Sequence, residues 1–315
     1  MIVTLTPNPS IDRAITIEAL HRGEVHRATG SRIDPGGKGV NVSRALAAQG
    51  ADTVAVLPAG GPEGHLMEEL LDAAGVARRS VPVSGSLRMN VSVLEPDGTT
   101  TKLNEPGPTL AESEVDALLH ETLEAARTAT WVVGCGSLPP GVPSGLYAQL
   151  VTRGRELGVK VAVDSSGSPM TTAVDARPSL VKPNHEELAE LVGRDLPTLG
   201  DVVAAARDLV EGGIEVVAVS LGGDGAVLVT ADELVHARAT ITAPLSTVGA
   251  GDCMLAGLLH GLSSGMTPAD ALATAVTWGA AAVTLPGSRV PTPDDLHGIP
   301  VEVTRTPDPH LVLGH

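Results

Sequence analysis

Along this chain, short runs of Val, Ile, Leu and Ala alternate with longer stretches whose apolar residues recur every three or four positions. The runs Ile2–Thr6, Thr53–Leu57, Trp131–Gly134, Lys160–Asp164, Leu180–Lys182 and Val216–Leu221 read as buried strands. Helical spacing covers Val40–Gln49, Glu63–Ala74, Ala111–Ala126, Ser144–Leu157, His185–Leu191 and Leu199–Glu211. A last helical pair, Cys253–Leu262 and Pro268–Leu285, keeps its pattern despite the glycines at 257, 261 and 279. Such alternation predicts an α/β fold: a mainly parallel sheet between helical layers, with ligands at the C-terminal ends of the strands. Two segments, about 14–33 and 87–104, carry β-type alternation with no helix between. In the second, Arg88–Glu95 and Thr99–Leu103 flank Pro96-Asp97-Gly98 and read as a hairpin. No internal repeat is evident. Residues 1–299 read as one domain, and residues 300–315, with three prolines and little periodicity, are expected to be irregular.

Composition narrows the function classes. With 315 residues and 43% hydrophobic content the chain can bury a substantial core. Aromatic residues make up only 1% (Trp131, Tyr147 and Trp278, no Phe), so Val, Leu and Ala build that core and base-stacking platforms are nearly absent. A net charge of −16 argues against nucleic-acid and anionic-membrane partners. Cys135 and Cys253 give neither a disulfide framework nor metal-ligand spacing. The opening residues have no basic region and meet Pro7 at once, and no apolar run of 18 residues is free of polar breaks. The expectation is a soluble cytoplasmic protein.

Two glycine clusters carry the candidate chemistry. In Ser246-Thr247-Val248-Gly249-Ala250-Gly251-Asp252, small residues precede an apolar helix, and Asp252 stands where that helix begins. A helix start presents unpaired N–H donors and a partial positive charge, which suits a phosphate. A carboxylate there either caps the helix or meets a hydroxyl that attacks the phosphate. The second cluster, Asp34-Pro35-Gly36-Gly37-Lys38-Gly39-Val40-Asn41, opens another helix. Competing nucleotide motifs fail. Lys38 is followed by Gly39 rather than Ser or Thr, which excludes a P-loop. Gly249-x-Gly251, Gly134-x-Gly136 and Gly223-x-Gly225 lead to Met254, Pro139 and Leu228, so no dinucleotide fingerprint is complete.

Together the two clusters resemble the paired signatures of the PfkB (ribokinase-like) carbohydrate kinases, the first running on through Gly50 and Gly60 and the second through Leu259. The resemblance extends to about residue 297. Thr6-Pro7-Asn8-Pro9, Gly36-Gly37-Lys38-Gly39, Gly136-Ser137-Leu138-Pro139-Pro140-Gly141 and Gly251-Asp252-Cys253-Met254 resemble the phosphosugar branch. The resemblance implies a three-layer αβα sandwich with a small β-sheet lid built from segments 14–33 and 87–104. It also implies an ATP-dependent phosphosugar kinase using Mg²⁺, with fructose 1-phosphate converted to fructose 1,6-bisphosphate and tagatose 6-phosphate or fructose 6-phosphate as alternative acceptors. A homodimer through the lid is a further expectation.

Residue by residue, the resemblance makes Asp252 the catalytic base. The N–H groups of Gly249, Ala250 and Gly251 would hold the transferred charge as an oxyanion hole does. Asp12, Gly37 and Asn41 would meet sugar hydroxyls, with Asn90 and Ser137 nearby. Arg88, Arg27 and Lys38 would clamp the phosphate that the sugar already carries. Lys182, Asn184, Ser220, Gly222, Gly225, Thr247, Gly249 and Gly251 fall on the nucleotide side, and Asn184 and Glu187 near the metal. For Asn184 and Glu187 the spacing fits a helix capping box equally well. Cys253, with no basic neighbour, reads as packing. An inactive phosphosugar-binding regulator is the rival from another class, and the intact Asp252, Gly251, Asn184 and Glu187 speak against it.

Overall fold

The computed structural model describes residues 1–241 and 243–314. Along the chain the elements are β1 (Ile2–Leu5), β2 (Ser10–Thr16), β3 (Gly30–Gly36), α1 (Lys38–Ala48), β4 (Thr53–Ala59), α2 (Gly61–Ala73) and β5 (Ala77–Pro82). Next come β6 (Arg88–Leu94), β7 (Thr100–Asn104), α3 (Glu112–Ala126), β8 (Trp131–Cys135), α4 (Leu146–Glu156), β9 (Lys160–Asp164), α5 (Gly167–Asp175) and β10 (Leu180–Val181). The C-terminal part holds α6 (His185–Val192), α7 (Leu199–Glu211), β11 (Val216–Ser220), β12 (Ala226–Val229), β13 (Leu234–Ala239), α8 (Ala250–Ser263), α9 (Pro268–Val283) and β14 (Val301–Thr304).

Ten strands form the central sheet in the order β14-β13-β12-β11-β10-β9-β8-β1-β4-β5. From β5 to β11 every pairing is parallel, and β12 to β14 add antiparallel strands at one edge. Strands such as β1 and β8 are buried along their whole length, as continuous Val-rich runs between two helical layers must be. One face packs Val3, Leu5, Val132 and Val163 against α3, α4 and α7. The other packs Ile2, Val133 and Ala162 against Leu46 of α1 and the apolar faces of α8 and α9. The result is a three-layer αβα sandwich.

A second sheet of four strands, β3-β2-β6-β7, stands apart from the first. Its opening strand starts at Ser10, earlier than the expected 14–33 segment, so Asp12 is a strand residue. Residues Ile11, Leu57, Met67, Leu71 and Leu87 form the apolar cluster that seats this sheet on α2 and β4.

Residues 300–315 are not wholly irregular as expected: β14 pairs antiparallel with β13, Ala239 opposite Val301 and His236 opposite Thr304. An edge strand offers unpaired N–H and C=O groups to any extended segment that returns to it, and that return is set by tertiary placement. Likewise β5 and β13 escaped the pattern because charged and polar residues (Arg78, Arg79 and Ser80; His236 and Arg238) interrupt their apolar runs, and α5 because Thr171, Thr172 and Val174 dilute its helical signal. Among the described residues, no helix is long and apolar enough to cross a membrane.

Candidate active site

The start of α8 is built as the sequence suggested. Gly249 precedes it with φ 79°, a left-handed conformation that only glycine adopts without strain. This turn aims the first N–H groups of the helix outward. Ala250 N–H reaches back to the Thr247 carbonyl at 3.4 Å, a long bond, while those of Gly251 and Asp252 donate to no described backbone carbonyl. The N–H of Gly249 likewise donates to no described acceptor.

Asp252 lies in the first helical turn and is 7% exposed. It does not cap the helix, whose N-cap is Gly249; its Oδ2 accepts a 2.8 Å hydrogen bond from Asn41 Nδ2 on α1. Burial pushes its pKa up to about 7, the Asp164 carboxylate adds to this, and the Asn41 bond with Lys38 and Lys182 opposes it. A carboxyl group balanced near neutrality can accept a proton and return it.

Beside it lies an ion-pair cluster organised by a residue that the sequence did not single out. Asp164, at the end of β9, is fully buried, with Lys38 Nζ 2.7 Å from Oδ1 and Lys182 Nζ 3.2 Å from Oδ2. Burial alone would raise its pKa; Lys182 and Lys38 outweigh that and hold it below the ordinary value. Lys182 Nζ lies 3.6 Å from where a Cβ on Gly251 would stand, which puts an ammonium group against the start of α8. Lys38 Nζ also approaches Glu187 Oε1 at 3.4 Å. Burial works to lower the Lys38 pKa, and Asp164 and Glu187 reverse this and keep it charged.

Asn184 and Glu187 do form the capping box: Asn184 Oδ1 accepts from Glu187 N–H at 2.7 Å, and Glu187 Oε2 from Asn184 N–H at 2.9 Å. The cap leaves Glu187 Oε1, beside Lys38, as the carboxylate oxygen not engaged by it.

The third part is polar and belongs to the small sheet. Strands β2 and β6 run parallel with Ser10 opposite Arg88 and Asp12 opposite Asn90. Ser10 Oγ–H donates to Asp12 Oδ1 at 2.7 Å, and Asn90 Nδ2 reaches Ser10 Oγ at 3.0 Å and Asp12 Oδ1 at 3.1 Å. Burial raises the Asp12 pKa, and the Ser10 and Asn90 bonds counter it. Gly36, just before Gly37, lies directly against the Asp12 carboxyl group. Arg88 donates to the carbonyls of Asn8 at 3.0 Å and Glu105 at 3.2 Å, and Asn8 Nδ2 donates to Ser137 Oγ at 3.3 Å and the Pro106 carbonyl at 3.1 Å. Asn8 Oδ1, Asn90 Oδ1 and Arg88 Nε are buried with no partner among the described residues. Such groups in a folded protein ordinarily have partners, so these are donors and acceptors suited to a polyhydroxy ligand bearing an anion.

A helix start with free N–H groups, a buried carboxylate near neutrality, two lysines and a polar face of the small sheet are parts that phosphoryl transfer can use. The profile of the "pfkB family carbohydrate kinase" matches residues 6–295. The chain belongs to the pfkB family of carbohydrate kinases. It is 40% identical over 297 residues to a 1-phosphofructokinase of Haloferax volcanii, covering 94% of this chain and 95% of that one. It is 37% identical over 305 residues to a 1-phosphofructokinase of Rhodobacter capsulatus, covering 96% of each. Among solved structures, phosphofructokinase-2 from Escherichia coli in complex with substrates and products superposes with a TM-score of 0.90 at 34% identity, covering 95% of this chain and 97% of that one.

In this pfkB kinase the remaining expected residues divide. Ser220 ends β11 and forms a bridge with Asn184, with its N–H on the Pro183 carbonyl at 3.2 Å, so the two lie side by side. Gly222 has open space around it and Thr247 is exposed. Gly225 is required by the backbone, since at φ 88° its Cα faces the Ala237 carbonyl, where any side chain would collide. Arg27 is not brought to the cluster; it lies exposed on the loop between β2 and β3, with no hydrogen bond or ion pair to the described residues. Cys253 is buried packing, its thiol pushed up to about 12 by burial. In the sequence alone, Asn8, Ser10, Asp164 and Arg44 carry no site role. Asn8 sits in the opening Thr-Pro-Asn-Pro, and Asp164 follows an apolar run as a buried acid at a strand end, the only signal it offered.

Proposed function

We propose that this pfkB-family kinase transfers the γ-phosphoryl group of ATP to a hydroxyl of fructose 1-phosphate, giving fructose 1,6-bisphosphate and ADP. The observation that carries this reading is Asp252, a buried carboxylate near neutrality, bonded to Asn41 and set at a helix start beside Lys182. The acceptor hydroxyl gives its proton to Asp252 as its oxygen bonds to the γ-phosphorus and the bond to the β-phosphate oxygen breaks. Phosphoryl transfer has a loose transition state, so alignment and charge neutralisation supply most of the rate. The N–H groups of Gly249, Ala250 and Gly251, with that of Asp252 and with Lys182, face the charge on the transferred group. Asp12, Asn90, Asn41, Gly37 and Ser137 are the partners for sugar hydroxyls, and Arg88 with Lys38 for the phosphate the sugar brings.

Lys182, Asn184, Ser220, Gly222 and Thr247 line the nucleotide side, with Gly225 shaping its loop. Glu187 Oε1, with Asn184 beside it, is the oxygen set that fits a Mg²⁺. Mg²⁺ retains waters and takes few protein ligands, and when bound it would neutralise triphosphate charge. The small sheet acts as a lid, and its exposed Val25, Ile33 and Leu103 favour a homodimer through it. Arg27, on the same loop as Val25, would then be near the joint.

The deciding experiment is ADP release measured over fructose 1-phosphate, fructose 6-phosphate and tagatose 6-phosphate. The highest kcat/KM is expected with fructose 1-phosphate. Preference for another hexose phosphate would reassign the substrate, and binding without turnover on all three would favour the regulator reading.

A further inference from the structure

Arg44 is an arginine 8% exposed on α1, and among the described residues its hydrogen bonds go to Asn41 and to two backbone carbonyls. Its Nη1 lies 3.1 Å from Asn41 Oδ1, 3.0 Å from the Pro35 carbonyl and 3.1 Å from the Ser288 carbonyl. A guanidinium only donates, so it must face the oxygen end of the Asn41 amide. That leaves the NH₂ end for Asp252 Oδ2, 2.8 Å away. We infer that Arg44 is a positioning residue for phosphoryl transfer: it locks the Asn41 amide with its nitrogen toward the Asp252 carboxylate. The same guanidinium ties that orientation to β3 of the lid through Pro35 and to the segment after α9 through Ser288. This inference rests on Asp252 being the base.

Without Arg44, the Asn41 amide can rotate and set Oδ1 against Asp252. Two acceptors then meet, and the ionised carboxylate loses the hydrogen bond that favours it. The charges facing Asp252 are Asp164 from β9, Lys38 from α1 and Lys182 after β10, with the Cys253 thiol next in the helix. Those facing Arg44 are Asp34 and Arg32 from β3, Asp12 from β2 and Cys253 from α8. All of these remain when Arg44 alone is replaced, and Arg44→Lys keeps the charge as well, so a changed titration in that variant reports the amide.

The test is a double-mutant cycle on the full-length kinase, with kcat followed from pH 5.5 to 9 in wild type, Arg44→Gln, Arg44→Lys, Asn41→Ala and Asn41→Ala/Arg44→Gln. Arg44→Gln is expected to lower kcat at pH 7 by ~10- to 100-fold, the scale of a displaced catalytic contact. Its acid limb should move to higher pH, with part of the loss recovered at pH 9. Arg44→Lys keeps the charge but not the fork and should shift the limb the same way. In the Asn41→Ala background, Arg44→Gln should cost nothing further. An equal loss in that background, a fall in Tm with an unmoved acid limb, or failure of both Arg44 variants to fold would overturn the inference. An Asp252→Asn arm separates the two ideas: if it stays active, the base assignment fails.

Discussion

Lys38 and Asp164, 126 positions apart in sequence, meet at 2.7 Å, with the carboxylate wholly buried. Asp164 also holds Lys182, so one acid fixes two ammonium groups beside the start of α8. In a chain of net charge −16, two ammonium groups are thereby held at one place beside the start of α8.

Asp164→Asn should therefore cost stability as well as activity. Removing one partner of a buried ion pair destabilises by roughly 3–5 kcal/mol, because the remaining charge stays uncompensated. The pKa of Asp164 is held below its ordinary 3.8, so its contribution is present above that pH and is lost as pH falls through the lower folded value. Urea unfolding at pH 7 and at pH 3 should show the gap between wild type and variant shrinking at the acid end. A constant gap would mean that the lysines do not depend on Asp164.

Asp252→Asn should lower kcat by at least ~10²-fold with little change in either KM, the scale of a positioned acid–base group. Wild-type activity should rise with pH through the value near 7 as the carboxylate ionises. Stability should move oppositely. The folded pKa lies above the unfolded 3.8, so the folded state binds more protons between the two values and loses stability as pH rises from 3.8 to 7. The variant should then have a higher Tm than wild type at pH 8. A variant keeping more than half the wild-type kcat would remove Asp252 as the base.

Glu187→Gln separates cap from metal. Glutamine at this position can still close the capping box, so Tm should change little. The Mg²⁺ concentration for half-maximal rate should rise, with activity partly restored at higher metal, because few carboxylates hold this ion. An unchanged Mg²⁺ titration would leave Glu187 as a cap alone.

Arg88→Met tests whether the acceptor carries a phosphate. A charge-assisted hydrogen bond contributes roughly 1.5–3 kcal/mol, so KM for the phosphosugar should rise ~10- to 100-fold while KM for ATP holds. Unphosphorylated fructose should be far less affected. Equal losses on both sugars would show that Arg88 serves mainly to brace the Asn8 and Glu105 carbonyls that it already touches.

The α/β class and the three layers were legible because buried strands and amphipathic helices impose different periods on the same chain, and local periodicity survives without knowledge of contacts. The start of α8 was legible for a related reason: a left-handed turn demands Gly249, and an acid three residues on, in the first helical turn, stands out among small and apolar neighbours. Local pattern could not reveal which distant side chains converge. Asn41 meets Asp252 across 211 positions because α1 packs on α8, and Asp164 reaches Lys182 because the parallel neighbours β9 and β10 end at one edge of the sheet, where the start of α1 brings Lys38. The pairing of β14 with β13 was equally invisible, since an edge strand's hydrogen bonds are made by backbone atoms that every sequence shares. The residue types at the site were determined by the chain alone. The ionisation of Asp252, the orientation of the Asn41 amide and the exposed position of Arg27 were decided by burial and neighbours, which exist only in the folded state.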